Sequence, residues 1–237
     1  MEQFLKFSII IPAHNEENYI EETLEHLKNI GYNRNYYEVI VVENGSTDKT
    51  FEVTKKFEGE NFKVFSIEKI GVSAARNFGA KQISKDSQWL IFLDADTHLK
   101  NGFLDDLKDY ILKNTNKNIV VGTTSLIPIN GSPYAKLWFR FYDIAHILLH
   151  ASLSIQIVRK DVFCKVWYDE NLQYTEDWKM MKSAEHFGRF FFMWTDKVHT
   201  STRRFDAVGY VKQLFLFIYW GILPEKCKRK VKYEAIR

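Results

Sequence analysis

Two carboxylates and an imidazole, Asp94, Asp96 and His98, follow directly on the apolar run Leu90-Ile91-Phe92-Leu93. The run is short and bounded by polar residues, the pattern of a buried strand. Side chains alternate along a strand, which puts Asp94 and Asp96 on one side, and His98 with them if the extended geometry persists. Two like charges this close repel, and burying them unpaired is costly. A cation resolves both problems. Carboxylate oxygens kept open to water suit Mg²⁺ or Mn²⁺, ions commonly held by one or two carboxylates together with substrate phosphates. The chemistry these residues suit is cation-assisted binding of a diphosphate at the tip of a central strand. Taken alone, the same residues suit a solvated turn that caps the next helix equally well.

The elements that must position them alternate. Residues 7–11 read as a buried strand stopped by Pro12, and apolar Ile20, Leu24, Leu27 and Ile30 follow at helix spacing. Asn15 is the expected N-cap of that helix and Gly31 its end. Residues 38–42 form a second strand, leading through Glu43-Asn44-Gly45-Ser46-Thr47-Asp48 into a helix past Val53 and Phe57. Residues 62–67 form a third strand, and residues 71–80 a helix with a small-residue face that allows close packing on a sheet. The acidic strand is the fourth, and a helix from Asn101 buries Phe103, Leu104, Leu107 and Ile111. Such alternation predicts an α/β fold with a mostly parallel sheet and helices on both faces. Ligands bind such sheets beyond the carboxyl ends of their strands. All four of those ends are polar here: His14 to Glu16, Glu43, Lys69 with Gly71, and Asp94 with Asp96. There is no Gly-x-Gly-x-x-Gly and no Gly-Lys-Ser/Thr phosphate loop, so a nucleotide would be held by side chains and metal.

The bulk properties narrow the classes further. The 237 residues suit one domain built of two halves, and a net charge of +3 is too small to argue for nucleic acid. Cys164 and Cys227 are far apart and form no metal or redox motif, which favours a reduced, cytoplasmic setting. The opening residues lack the apolar stretch of a signal peptide, and no segment is long and apolar enough to span a bilayer. Aromatic residues make up 16% of the chain and crowd its second half.

Four segments together resemble the family 2 glycosyltransferases, whose nucleotide-sugar-binding fold is called GT-A. They are Ser8-Ile9-Ile10-Ile11-Pro12-Ala13-His14-Asn15-Glu16, Val42-Glu43-Asn44-Gly45-Ser46-Thr47-Asp48, Ala75-Arg76-Asn77-x-Gly79 and Asp94-Ala95-Asp96. The resemblance is tight over the first half and looser over the second. It implies a nucleotide-diphosphate sugar donor, UDP- or GDP-linked, and an Mn²⁺ or Mg²⁺ cofactor. Pro12, Ala13, Asn15 and Glu16 would line the nucleoside pocket. Glu43, where the family usually carries Asp, would hold base or ribose. Arg76 would reach the base edge or pair with Asp94. Asp94, with Ala95 beside it, would bind ribose or position the metal, and Asp96 would bind the metal directly. His98 and His199 are further candidate ligands.

The second half opens with a strand at residues 119–124; Asn130-Gly131-Ser132 matches a glycosylation sequon but reads as a turn. Residues 134–153 read as an aromatic helix, packed for the most part in the core. A strand at 154–160 and a short helix through Val162 and Phe163 precede Tyr168-Asp169-Glu170, where the family carries Gly-Phe-Asp-Glu. Glu176-Asp177 then opens a helix. By resemblance Asp177 is the catalytic base, and Glu176 orients it or contacts the acceptor. A carboxylate within reach of an acceptor hydroxyl can take its proton in a single displacement with inversion. Arg203 and Arg204 are suited to a diphosphate. The segment Ser201-Thr202-Arg203-Arg204-Phe205 departs from the Gln-x-x-Arg-Trp of processive members, so a non-processive enzyme is implied.

The acceptor stays open among glycan, lipid-linked and small-molecule classes. Residues 211–232 join an apolar run to Lys226, Lys228, Arg229, Lys230 and Lys232, which suits peripheral contact with an anionic membrane or a C-terminal helix packed on the core with a solvated basic tail. The expected division is a nucleotide-sugar half at residues 1–118 and an acceptor and base half at 119–237. Two rival readings are a nucleotidyltransferase, which normally carries a Gly-rich loop absent after the first strand here, and a non-catalytic binding protein on a degenerate GT-A fold.

Overall fold

The computed structural model describes residues 4–129, 131–172 and 174–228. Residues 1–3, Asn130 of the sequon and Arg229, Lys230 and Lys232 of the basic run lie outside them. The first half runs β1 (Phe7–Ala13), α1 (Ile20–Lys28), β2 (Tyr37–Asn44), α2 (Thr50–Lys55), β3 (Phe62–Ile67), α3 (Val72–Lys81), β4 (Trp89–Leu93), β5 (Thr97–Leu99) and α4 (Phe103–Lys113). The second runs β6 (Ile119–Thr124), β7 (Ile127–Pro128), α5 (Pro133–Leu149), β8 (Ile155–Arg159), α6 (Lys160–Val166), α7 (Glu176–Ala184), β9 (Arg189–Met193), β10 (Val198–Thr200), α8 (Arg203–Val208), α9 (Tyr210–Ile222) and α10 (Glu225–Lys228).

Seven strands pair in the order β3-β2-β1-β4-β8-β6-β9. Only the β4–β8 and β6–β8 pairs are antiparallel, so the sheet is mostly parallel, as the alternation requires. A small second sheet, β5-β10-β7, stands beside it. Alternate side chains of the central strands feed two cores. Ile9, Ile11, Val39, Val41 and Ile91 meet Leu24, Leu27, Leu104 and Leu107 of α1 and α4. Ile10, Ile40, Val42, Leu90 and Phe92 meet Ala75 of α3, Phe163 of α6 and Met181 of α7. The small-residue face of α3 lets it approach closely: a Cβ on Gly79 would lie 2.6 Å from Ile10 Cγ2.

Three local expectations are corrected. Pro12 does not stop β1, which continues to Ala13; pairing with β4 has already ended at Ile10, so a residue without an N–H is tolerated there. Asn15 is not the cap of α1, which begins five residues later. It takes a left-handed backbone (φ 53°) and its side chain accepts from Thr47 N–H instead, at 2.8 Å. The aromatic helix α5 is less buried than expected. Phe139 and Tyr142 point inward, but Leu137, Phe141, Ile144, Leu148 and Leu149 are exposed.

Candidate active site

The acids of the opening motif sit in a turn, not on a strand. β4 ends at Leu93, and Thr97 N–H donates to Asp94 O at 3.1 Å to close the turn. Asp94 N–H donates to Ser154 O at 3.0 Å, and Ala95 O accepts from Thr23 Oγ1 at 2.7 Å, so both halves of the chain fix this turn. The turn gives the two carboxylates different partners, where strand alternation would have set them side by side.

Asp94 pairs with Arg76, whose Nη2 lies 3.2 Å from Asp94 Oδ1. The other arm of the same guanidinium, Nη1, lies 3.1 Å from Glu176 Oε1 at the start of α7. Arg76 is buried and stacks on the Tyr168 ring at 5.1 Å. Asp177 follows immediately, its Oδ1 accepting from Trp178 N–H at 2.7 Å. Burial raises both acids above the usual carboxylate range; Asp177 adds to the rise at Glu176, and Arg76 opposes it at both. Acids from the strand tip and from α7 are thus gathered on one arginine.

Asp96 pairs with Arg203 of α8, Nε to Oδ2 at 3.0 Å. Arg203 Nη2 reaches Glu16 Oε1 at 2.7 Å, and the guanidinium lies over the Tyr19 ring at 4.4 Å. Burial pushes the Asp96 carboxyl up to about 6; Asp94 and Glu16 add to this, while Arg203 and Arg204 oppose it. Glu16 Oε2 is buried without a hydrogen-bond partner.

Around this centre Glu43 is buried, its carboxylate accepting from Ser46 N–H and from Ser66 Oγ at 2.6 Å. Asn15 binds the same turn from the β1 side, its N–H donating to Ser46 Oγ at 3.0 Å. Pro12 and Ala13 end β1 opposite Val42 and Glu43.

The structure does not bring His98 or His199 to the acids. His98 stands in β5 of the small sheet with its Nδ1 3.5 Å from Glu22 and its ring 4.8 Å from that of His26. His199 faces His98 across the β5–β10 pair, and its Nε2 lies 3.0 Å from Asp196 O. The turn after Leu93 is the reason: alternation from Asp96 to His98 is broken before the chain re-enters a strand. Glu22, His26 and His98 place one ligand atom each within 4.8 Å of one another. Lys100 Nζ, 3.1 Å from His26 Nε2, sets an ammonium against that group.

Three positioning residues escaped the sequence reading. Asn77 donates to Tyr168 O at 3.0 Å and to Glu170 Oε1 at 2.8 Å, and accepts from Tyr168 N–H at 3.0 Å, so it clamps the loop that covers Arg76. Tyr168 and Tyr19 each lie under one of the two arginines. Asn77 stood beside Arg76 in its motif, a usable signal. A ring placed under a cation by a distant loop leaves no trace in local spacing.

Comparisons with known proteins bear on this arrangement. Residues 8–165 match the model of "Glycosyl transferase family 2". The chain is 36% identical over 120 residues to the minor teichoic acid biosynthesis protein GgaA of Bacillus subtilis, covering 48% of this chain and 27% of that protein. It is 33% identical over 110 residues to the poly(ribitol-phosphate) beta-N-acetylglucosaminyltransferase TarS of Staphylococcus aureus, covering 45% of this chain and 19% of that protein. The crystal structure of S. aureus TarS 1-349 in complex with UDP-GlcNAc superposes with a TM-score of 0.70 at 22% identity, covering 94% of this chain and 69% of that one. The matched region therefore spans about a quarter or less of the length of these two curated relatives, and the structural likeness carries the GT-A fold. The family model covers more than half of the chain, including the strand tips and the turn at Asp94–Asp96, which decides against a nucleotidyltransferase. This chain belongs to glycosyl transferase family 2.

Proposed function

We propose that this chain moves a sugar from a nucleotide-diphosphate sugar to an acceptor hydroxyl, with inversion and one sugar per encounter. The observation that carries the reading is Arg76, whose two arms join Asp94 of the strand tip to Glu176, the neighbour of Asp177. On this reading a donor half, residues 1–118, meets an acceptor half, residues 119–237, at that contact. The UDP-GlcNAc complex of TarS supports a UDP-linked donor over a GDP-linked one, and its poly(ribitol-phosphate) acceptor supports a glycan-type acceptor. Lipid-linked and small acceptors fit the same chemistry, as does peripheral membrane contact through residues 211–232. Among the described residues no helix is long and apolar enough to cross a membrane.

Pro12, Ala13, Asn15 and Glu16, at and just beyond the end of β1, take the nucleoside. Glu43 braces the turn at Ser46 and offers its remaining lone pairs to base or ribose. Arg203 and Arg204 face the diphosphate, for which a guanidinium fork is suited.

The acids also fit a divalent cation. The Oε2 of Glu16 is buried without a partner and so has lone pairs to offer, and burial holds the Asp96 carboxyl up at about 6. Asp96, with Asp94 across the turn and Glu16 joined to it through Arg203, would hold Mn²⁺ or Mg²⁺, which when bound neutralises charge gathering on the departing diphosphate. His98 and His199, turned to other partners, are outside this set. Asp177 accepts the proton of the attacking hydroxyl; its raised pKa brings it nearer to the acceptor's. Glu176, held by Arg76, keeps α7 in place.

Replacing Asp177 with Asn tests the assignment. Donor binding should persist while transfer falls ~10²-fold or more, the scale of general-base catalysis. Turnover close to that of the parent refutes it.

A further inference from the structure

We propose that α5 and α9 together form one docking face for the surface of an anionic lipid bilayer. This rests on the membrane contact proposed above and deepens it by adding α5. It is read by vesicle binding, so its failure would leave the transfer reading standing.

The two helices lie side by side. The Tyr142 ring is 5.9 Å from that of Phe217, and Tyr134 is 5.2 Å from Tyr210. Their inner faces pack on the core through Phe139, Tyr142, Leu214 and Phe217. Their outer faces are apolar as well. On α5 the exposed residues Leu137, Phe141, Ile144 and Leu148 recur every three or four positions, with Leu148 75% exposed. On α9 Val211, Phe215, Ile218 and Ile222 do the same, with Ile222 79% exposed. Exposed apolar surface on this scale marks an interaction site.

Charge selects the occupant. The exposed charged side chains of the two helices are Lys136, Arg140 and Lys212, all basic. Their one carboxylate, Asp143, is buried and accepts from Leu126 N–H at 3.1 Å. Exposed Lys226 follows α9. The spacing on α5 would also suit a helical seam with a second copy, but the same face of a second copy offers no exposed carboxylate to meet these cations. Anionic headgroups complement them, while the apolar stripes enter the acyl boundary. Exposed Tyr134 and Tyr219 supply the amphipathic rings found at that depth.

The face adjoins the acceptor side of the site. Trp178 Nε1 donates to Leu149 O at 3.2 Å at the end of α5. Trp220 of α9 stacks on Tyr174 at 4.0 Å, two residues before Glu176. Docking this face brings the start of α7 toward the headgroups.

Co-sedimentation of the full chain with phosphatidylcholine–phosphatidylglycerol vesicles, and with pure phosphatidylcholine vesicles, tests the proposal. The chain should bind the anionic vesicles, less at high salt, and bind neutral ones at least ~10-fold more weakly. The double variant Leu137→Glu/Leu148→Glu leaves α9 and the basic run intact. It should keep the parent's melting temperature and circular dichroism and lose at least ~10-fold in binding. No binding by the parent, equal binding to both vesicle types, or parent-like binding by the folded variant would each overturn the proposal. So would a parent dimer in sedimentation velocity that the variant converts to monomer, since the face would then belong to a second copy.

Discussion

Arg203 and Asp96 form an ion pair of 3.0 Å, guanidinium Nε to carboxylate Oδ2. The same guanidinium holds Glu16, so one side chain from the second half of the chain neutralises two acids from the first. Replacing Arg203 with Ala strands both carboxylates. The unliganded protein should lose about 1–3 kcal/mol, the cost of a partly buried charged group left unpaired. Mn²⁺ should then raise the melting temperature more than it does in the parent. Lys at this position should restore little, because an ammonium cannot bridge two carboxylates as a planar fork does. Thermal unfolding with and without MnCl₂ checks all three.

Asp96→Ala removes the acid on the proposed cation side while leaving the Arg76–Asp94 pair in place. The Mn²⁺-dependent part of nucleotide binding should vanish. Calorimetric titration of UDP with and without Mn²⁺ measures it, and a binding isotherm like the parent's would show that Asp96 holds no cation.

His146 reports on acid stability. Burial in α5 lowers its pKa from 6.5 to about 4, so it is neutral in the folded chain at neutral pH. Unfolding lets it take a proton between those values, so its contribution is full above pH 6.5 and is lost as pH falls toward 4. The pKa difference corresponds to about 3 kcal/mol. His146→Phe should therefore flatten the loss of stability between pH 6.5 and 4. Urea midpoints of parent and variant at the two ends of that range give the comparison.

Gly79→Ala tests the approach of α3 to the sheet. The new Cβ would meet Ile10 Cγ2 at 2.6 Å and Val42 Cγ2 at 3.1 Å, both on central strands. Overpacking of this kind costs about 1–3 kcal/mol. A lowered urea midpoint with an unchanged slope is the expected result.

Much of this architecture was legible in the sequence because it rests on local pattern. β3 runs from Phe62 to Ile67 as its apolar run predicts, and the polar ends of β1, β2 and β4 do converge. Arg76 with Asp94 was one of the pairings that the family resemblance implied. What was not legible depends on turns and on long-range contacts. The chain reverses after Leu93, so a rule of alternation carried past that point put His98 beside Asp96 when its neighbours are Glu22 and His26. Pairing of Arg203 with Glu16 joins segments too far apart for any spacing rule to link. The outer face of α5 misled for another reason: aliphatic residues that would ordinarily be counted as core stand in the open.

The strand order also fixes how this protein can be divided. β1 to β4 come from the first half and β8, β6 and β9 from the second, and the two sets meet along the five residue pairs of β4 and β8. A chain severed after residue 118 would leave β4 with a bare row of amides and carbonyls, open to any passing strand. The fragments would aggregate or reassociate before either could act as a module, so a functional dissection of this protein must proceed by single side chains and not by truncation.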